Sequence, residues 1–229
     1  MPIIIDQLIE DAQAFRASVT KYETILEQKG FDKIRRDELD AAIKEAIEKD
    51  SDQKAASKTL EQLTQSQEKA IDDSLAIINL MQNAARSAFG DDRAKLKEFG
   101  VGEKKRRNAS TLRTTLEYLN DVAQKYSAIL IKNGMTQQEI TNIPTICNAL
   151  AKSDEVQENA KKIRNAATKV RDKATNSLND IVYKARKFAL AAFSKEPEKA
   201  EEFKKIARAG KRGSGGNTPP PAPPTPPTT

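Results

Sequence analysis

Histidine and tryptophan are absent from this chain, and among its 229 residues cysteine occurs once. A protein without histidine cannot use a Ser-His-Asp triad, a histidine general base or an imidazole zinc ligand. The single cysteine, Cys147, cannot form an internal disulfide or a CxxC redox pair, and its apolar neighbours favour a small core residue over a nucleophile. From these absences we expect no catalytic, cofactor-binding or metal-ligating residue, and a protein that is not an enzyme.

Sequence motifs for phosphoryl, hydride or acyl transfer are missing as well. The chain contains no P-loop, no Gly-x-Gly-x-x-Gly dinucleotide fingerprint and no Gly-x-Ser-x-Gly nucleophile elbow. Adjacent carboxylates occur at Asp72-Asp73, Asp91-Asp92 and Glu201-Glu202, but adjacent residues of a helix point to different sides. We interpret them as solvated surface residues rather than catalytic pairs.

Long apolar runs are also lacking. No stretch approaches the roughly 20 apolar residues that cross a bilayer. The run Ile3-Ile4-Ile5 is too short for a signal peptide and follows no basic residue. We therefore expect a cytoplasmic protein with no transmembrane segment.

Glycine and proline, the strongest helix breakers, number only 9 and 10, and seven of the prolines lie at 219–227. Before that tail, alanine, leucine, isoleucine, lysine and glutamate dominate, and no sustained alternation of apolar and polar residues indicates a strand. We expect an all-α protein. Residues 213–229 are predicted to be a disordered Gly/Pro-rich tail, either a spacer or, through its Pro-x-x-Pro spacings, a ligand for a proline-binding groove.

Apolar residues recur at spacings of four and three along most of the chain, the pattern of a helix face that packs in a bundle. In the first hundred residues this spacing predicts helices over 6–29, 37–49 and 51–89 and a short fourth helix after Gly90. Gly30 is expected to end the first helix in the left-handed conformation, and Asp32 or Asp37 to cap the second.

The second half of the chain resembles the first at a constant offset of 104 residues. Lys21-Tyr22 with Ile25-Leu26 and Gly30 recurs as Lys125-Tyr126 with Ile129-Leu130 and Gly134. The pairs Ala88-Phe89 and Ala192-Phe193, and Glu98-Phe99 and Glu202-Phe203, keep the same offset. We interpret this agreement as a tandem duplication of one helical unit.

In the second half of the chain, the residues that we expect to begin helices occur in the same order as the predicted helices of the first half. Ser110 or Thr111 is expected to cap its first helix, and Thr136 with Glu139 forms a predicted capping box. Pro144 is placed in the first turn of a helix, where its missing N–H costs little. A long helix is predicted over 154–193.

Together these patterns predict an antiparallel helical bundle of two tandem repeats of about 104 residues each, related by a pseudo-twofold axis. The first repeat spans 1–108 and the second 109–212. We expect the repeats to pack face to face as one bundle, because one repeat alone presents too narrow an apolar seam. The alternative is that helix 37–49 doubles back over the long helix of its own repeat.

Positive charge is concentrated late in the chain. Residues 151–212 contain 17 lysines and arginines against 9 acids, a net charge of +8, whereas the whole chain carries +6. Candidate phosphate-contacting residues lie in two clusters that end the two repeats: Lys104, Lys105, Arg106, Arg107, Lys204, Lys205, Arg208, Lys211 and Arg212. They either complement helix C-termini and promote solubility, or contact phosphate in nucleic acid or at an anionic membrane surface.

The sequence favours a non-enzymatic structural or protein-interaction protein, a helical scaffold whose partner is another protein or a second copy of itself. The alternative is a nucleic-acid-associated protein that contacts the phosphate backbone through the basic clusters. Against the alternative, aromatic residues are not interleaved with the basic ones, and no helix-turn-helix, zinc-finger or basic-zipper pattern is present.

Overall fold

The computed structural model describes residues 5–205, and within this range every regular element is a helix. The elements are α1 (Ile5–Lys21), α2 (Glu23–Gln28), α3 (Lys33–Phe89), α4 (Arg93–Glu98), α5 (Ala109–Lys125), α6 (Ser127–Lys132), α7 (Gln137–Ala192) and α8 (Pro197–Lys205). The predicted all-α class is confirmed for this part of the chain. The predicted tail, 213–229, lies outside the described residues.

Helix positions repeat along the chain. The first four helices begin at 5, 23, 33 and 93, and the last four begin at 109, 127, 137 and 197, which is a constant offset of 104 residues. Corresponding helices also agree in length, with 17 residues in α1 and α5 and 6 residues in α2 and α6.

The described chain divides into two compact units, each made of segments from both halves of the sequence. Unit 1 contains residues 5–52 and 169–205, and unit 2 contains residues 53–168. The long helices α3 and α7 therefore contribute one part to each unit. The boundaries of the compact units do not coincide with the predicted repeat boundary at 108.

Unit 1 has its own hydrophobic core. The first half of the chain supplies α1, α2 and the beginning of α3, and the second half supplies the end of α7 and α8. The largest fully buried side chains of this core are Leu8, Phe15, Leu26, Leu39, Phe193 and Phe203.

Unit 2 is built from the complementary segments. The end of α3 and α4 come from the first half, and α5, α6 and the beginning of α7 come from the second half. Its largest fully buried side chains are Ile78, Met81, Phe99, Leu116, Leu119 and Leu130. Burying side chains of this size from water is the main favourable term for such a core.

The predicted first helix, 6–29, is interrupted in the structure. Tyr22 leaves the helical conformation with φ −112° and ψ 22°, and separates α1 from α2. Tyr126 separates α5 from α6 with nearly the same angles, φ −111° and ψ 19°. Each tyrosine ring packs against two phenylalanines from the other half of the chain. The periodicity of apolar residues within one helix does not predict such a tertiary contact.

The helices α2 and α6 both end in a Schellman motif, and Gly30 ends a helix as predicted. The Phe31 N–H donates to the Leu26 carbonyl at 2.8 Å, and the Met135 N–H donates to the Leu130 carbonyl at 3.1 Å. Gly30 and Gly134 adopt φ +95° and +108°, which glycine reaches without the steric cost that a Cβ brings. The buried Phe31 and Met135 side chains supply the hydrophobic contact of the motif.

The long helices are more continuous than predicted. The expected break between 49 and 51 is absent, since α3 runs without interruption over 57 residues. Helix 37–49 therefore does not double back over the long helix of its repeat. The predicted capping of this segment by Asp32 is confirmed, because its carboxylate accepts the Arg35 N–H at 3.1 Å.

Pro144 is not in a first turn but well inside α7, which begins at Gln137. Proline removes one helical hydrogen bond, the one to the carbonyl of Ile140. The helix nevertheless continues through Pro144, whose ring lies on the exposed side of α7 and so displaces no core side chain. The predicted helix start near 154 is therefore wrong.

Part of the predicted apolar seam of α7 is exposed. Ile163 and Val170 were expected to line the long helix, but they are 63% and 48% exposed. Ala160 and Ala174, on the same predicted seam, are buried. Periodicity predicts which residues share one side of a helix, but it does not say whether a neighbouring helix covers that side.

Replacement of Phe99 by alanine is expected to lower the free energy of unfolding by about 3–5 kcal/mol, because the ring is fully buried and its loss leaves a cavity. Tyr118→Ala is the matched control: this ring is 54% exposed, and we expect a loss below about 1 kcal/mol. Chemical denaturation followed by circular dichroism measures both values. Equal losses in the two variants would contradict the assignment of Phe99 to the core of unit 2.

Candidate functional site

The segment that follows α4 is held against α3 by three side chains of that helix. The Gln82 amide donates to the carbonyls of Phe99 at 3.0 Å and Gly100 at 2.8 Å. Further along, Lys105 Nζ donates to Asn79 Oδ1, and Arg107 forms an ion pair with Asp72 at 2.7 Å. Residues 103–108 have no regular secondary structure, so these contacts fix their path.

The basic residues of this segment alternate in what they contact. Lys105 and Arg107 bond to α3, whereas Lys104 and Arg106 are exposed and have no hydrogen-bond or ion-pair partner among residues 5–205. The bonds of Lys105 and Arg107 to α3 therefore leave Lys104 and Arg106 as the cations of this segment that are available to a ligand.

A groove of about 860 Å³ lies beside this segment, entirely within unit 2. Its walls are Ile78 and Gln82 of α3, the helix α4, residues of the segment 99–106 and one side of α5. The charged side chains that line it are Lys97, Glu98, Glu103, Lys104, Lys105 and Arg106. Ser110, Thr111, Thr114, Thr115 and Tyr118 line it from α5.

The groove carries a net positive charge, because four basic side chains line it and only two acidic ones do. Burial removes water from the Lys105 ammonium and lowers its pKa, and the positive charge of Arg86 acts in the same direction. Of the two lining acids, Glu98 is already paired with Lys125 at 3.1 Å. The site therefore holds positive charge in a position that an incoming anion would stabilise.

The first turn of α5 faces this groove through Ser110 and Thr111. Asn108 caps the helix, since its side-chain oxygen accepts the Thr111 N–H at 3.0 Å, so the predicted caps Ser110 and Thr111 are wrong. A side-chain cap accepts from the residue two or three positions later, and of the two residues so placed before Thr111 only Asn108 has a side-chain acceptor, because the other is Ala109. The hydroxyl of Ser110 consequently has no partner among the described residues.

The hydroxyl groups of Thr114 and Thr115 line the groove, but they are not free to donate a hydrogen bond to a ligand. The Thr114 hydroxyl donates to the Ser110 carbonyl at 3.2 Å, and the Thr115 hydroxyl donates to the Thr111 carbonyl at 2.9 Å. These bonds already use the hydroxyl protons. Donors available to a ligand at this end of the groove are therefore Lys104, Arg106 and the first turn of α5.

The second predicted basic cluster is only partly described. Lys204 forms an ion pair with Glu201 at 2.7 Å, and its carbonyl accepts a hydrogen bond from Arg186 at 2.8 Å. The side chain of Lys205 and the residues Arg208, Lys211 and Arg212 lie outside the described part of the chain. Of the nine predicted phosphate contacts, the structure brings Lys104, Lys105 and Arg106 to one groove and directs Arg107 to Asp72.

Each unit contains the same cluster of two phenylalanines, a tyrosine, a lysine and a glutamate. In unit 1, Tyr22 packs on Phe193 and Phe203 with ring centroids 5.3 and 6.0 Å apart, and its hydroxyl donates to Glu202 at 2.8 Å. Lys21 also donates to Glu202, at 2.7 Å, a bond that raises the pKa of this lysine.

In unit 2, Tyr126 packs on Phe89 and Phe99 with centroids 5.3 and 5.8 Å apart. Its hydroxyl and Lys125 approach Glu98 at 3.4 and 3.1 Å. These five residues lie 104 positions from those of unit 1. In both clusters the tyrosine and lysine come from one half of the chain and the phenylalanines and glutamate from the other.

Cys147 is buried, as predicted, and its thiol lies 3.8 Å from the Arg113 carbonyl. Burial raises the pKa of the thiol, which keeps it in the poorly nucleophilic protonated form. A smaller cavity of about 350 Å³ lies in unit 1 beside Phe31, Arg35 and Phe188. The Arg35 guanidinium there already covers the Phe188 ring and donates to the Gly30 carbonyl at 3.0 Å.

Within residues 5–205, no group of three or more acidic or cysteine side chains is placed to hold a metal ion. In the same range no helix combines the length and apolar character needed to cross a bilayer. No protein-family model, no curated protein and no solved structure matches the chain.

Asn108→Ala is expected to lower the free energy of unfolding by about 1 kcal/mol, because the Thr111 N–H loses its acceptor. Ser110→Ala, two positions later, is expected to change it by less than about 0.5 kcal/mol. Equilibrium urea denaturation of the two variants and the parent protein measures the difference. A larger loss in Ser110→Ala than in Asn108→Ala would contradict the observed cap.

Proposed function

We propose that this chain is a non-enzymatic structural or protein-interaction protein, a helical bundle built from two tandem copies of one unit related by a pseudo-twofold axis. The observation that supports the proposal best is that both compact units combine segments of both halves and contain the same aromatic–carboxylate cluster. Helix starts 104 residues apart support the same interpretation.

Duplication explains why each core needs both halves. In unit 1, Phe15 from the first half packs edge-to-face on Phe203 from the second, with centroids 5.6 Å apart. In unit 2, Phe99 from the first half contacts Tyr126 from the second. A single copy that paired with a second copy of itself would make equivalent contacts, and linking the two copies in one chain preserves them.

The middle of α7 supports a role in protein interaction. Ile163 is 63% exposed, and it lies between Lys162 and Arg164, which are also exposed. An exposed isoleucine flanked by cations is suited to a partner surface that combines an apolar contact with acidic residues. A second copy of the same surface would bring like charges together, so we propose a different protein as the partner.

Separate expression of two overlapping fragments tests the shared cores. The fragment 53–168 contains the whole core of unit 2, and we expect it to fold as a monomer with a cooperative thermal transition. The fragment 1–108 has a similar length but contains only part of each core. Alone it is expected to show a broad transition or to dimerise, and to regain cooperative unfolding when mixed with 109–229.

Circular dichroism and analytical ultracentrifugation read out both properties. Recovery on mixing at a one-to-one ratio supports the proposal, and so does a homodimer of 1–108. A monomeric 1–108 fragment that unfolds as cooperatively as the full chain would show that one half is self-sufficient, and would overturn the shared-core arrangement.

A photo-crosslinking amino acid at position 163 tests the interaction surface in cells that express the protein. We expect adducts to a second protein, which are lost when Lys162 and Arg164 are both replaced by glutamate. Position 165 is the matched control, because two residues along an α-helix rotate a side chain by about 200° to the opposite side. Equal adducts at both positions, or none, would contradict the proposed surface, and adducts between two copies of this chain would indicate self-association instead.

A second candidate function, contact with the nucleic-acid backbone, is favoured by the cations of the unit 2 groove. Lys104, Lys105 and Arg106 meet there, as the sequence interpretation requires. However, Lys105 and Arg107 are engaged with α3, which leaves few cations for a long phosphate backbone. Binding along a duplex typically uses about 6–10 phosphate contacts.

A further inference from the structure

We propose that the groove of unit 2 binds a small phosphorylated ligand that carries a planar ring, with its phosphate at Lys104, Arg106 and the first turn of α5 and its ring against Tyr118. The inference goes beyond the proposed scaffold role. It uses the cations that also suggested nucleic-acid binding, but it assigns them to a compact ligand.

The phosphate end of the groove combines three kinds of donor. Lys104 and Arg106 line it without partners among the described residues. Ser110 contributes a free hydroxyl and, as a first-turn residue of a 17-residue helix, a backbone N–H that the helix itself does not bond. An anion at such an N-terminus is further stabilised by the helix dipole.

The charge balance at this end favours an anion. Lys97, Lys104, Lys105 and Arg106 outnumber the acids, and Glu98 is neutralised by Lys125. Glu103 is the remaining acid in the lining. Burial, together with the positive charge of Arg86, lowers the pKa of Lys105, the direction expected where negative charge is scarce. An incoming phosphate would supply the missing counter-charge.

The ring end is formed by Tyr118, whose side chain lines the groove and is 54% exposed. Tyr118 lies eight positions after Ser110 in α5, a rise of about 12 Å along the helix. A ligand with phosphate and ring at opposite ends spans this distance. The groove volume of about 860 Å³ lies within the roughly 300–1,000 Å³ range of pockets for small ligands.

The corresponding side of α1 could not serve the same ligand. At the positions equivalent to Ser110, Thr114 and Thr115, α1 has Asp6, Glu10 and Asp11. Carboxylates at these positions would repel a phosphate at the same place. Because α5 has hydroxyl residues at the positions where α1 has acids, α5 is compatible with an anion and α1 is not. We therefore assign the ligand to unit 2.

Calorimetric titration of the full-length protein tests the proposal with three probes at fixed ionic strength: inorganic pyrophosphate, ADP and a single-stranded oligonucleotide. ADP is expected to bind about tenfold more tightly than pyrophosphate, because the base gains a stacking contact with Tyr118. Tyr118→Ala is expected to remove this difference and leave pyrophosphate binding unchanged. Amide shifts at Ser110 and Tyr118 in NMR spectra would place the ligand in the groove.

A charge-matched pair of variants separates the groove from general electrostatic attraction. Lys104→Gln with Arg106→Gln is expected to weaken ADP binding about tenfold or more, since two charge-assisted hydrogen bonds are lost. Lys162→Gln with Arg164→Gln removes the same charge from α7 and is expected to leave binding unchanged.

Three results would overturn the assignment. The first is equal weakening by both pairs of substitutions, and the second is no binding of pyrophosphate or ADP to the parent protein. The third is binding of the oligonucleotide alone, which would indicate nucleic acid as the ligand instead. All three leave the fragment test of the shared cores unaffected, so failure here and failure of the scaffold proposal are distinguishable.

Discussion

Burial of apolar residues from one half of the sequence against those of the other half is the interaction on which both units depend. Phe15 against Phe203, and Tyr126 against Phe89 and Phe99, are examples of it. The six-residue helices α2, α4 and α6 are too short to persist alone in water. Two of them are held by a fully buried leucine, Leu26 in α2 and Leu130 in α6, so even local structure depends on the shared cores.

The same packing creates the groove. Phe99 is fixed in the core of unit 2, and Gln82 binds the carbonyls that follow it, so the segment after α4 must continue along α3. Lys105 and Arg107 bond to that helix, whereas Lys104 and Arg106 are exposed and line the groove. Of four consecutive cations, Lys105 and Arg107 thereby bond to α3, and Lys104 and Arg106 stay available at the groove.

The two units use one set of packing contacts but differ at the surface. Both keep the tyrosine, the paired phenylalanines and the glutamate with its lysine. The α1 surface, however, carries acids where α5 carries serine and threonine. If the halves arose by duplication, conserved core contacts preserve the fold while surface residues can diverge, because exposed substitutions rarely change stability by much. A specific site in one unit alone is compatible with that history.

Helical class, the glycines that end α2 and α6 and the capping box at Thr136 could be predicted from the sequence, since each depends on residues that lie close together in the chain. The apolar neighbours of Cys147 predicted its burial, but the residues that cover it come from another helix. The constant offset of 104 is also visible in the sequence alone. The tertiary structure decided the interruption at Tyr22, the continuity of α3 and α7 and the exposure of Ile163. It also decided which cations of 104–107 face the groove, because that depends on Asp72 and Asn79, which lie far away in the sequence. A local pattern specifies which residues share a side of a helix. Whether another segment buries that side or leaves it exposed depends on how segments distant in the sequence pack together.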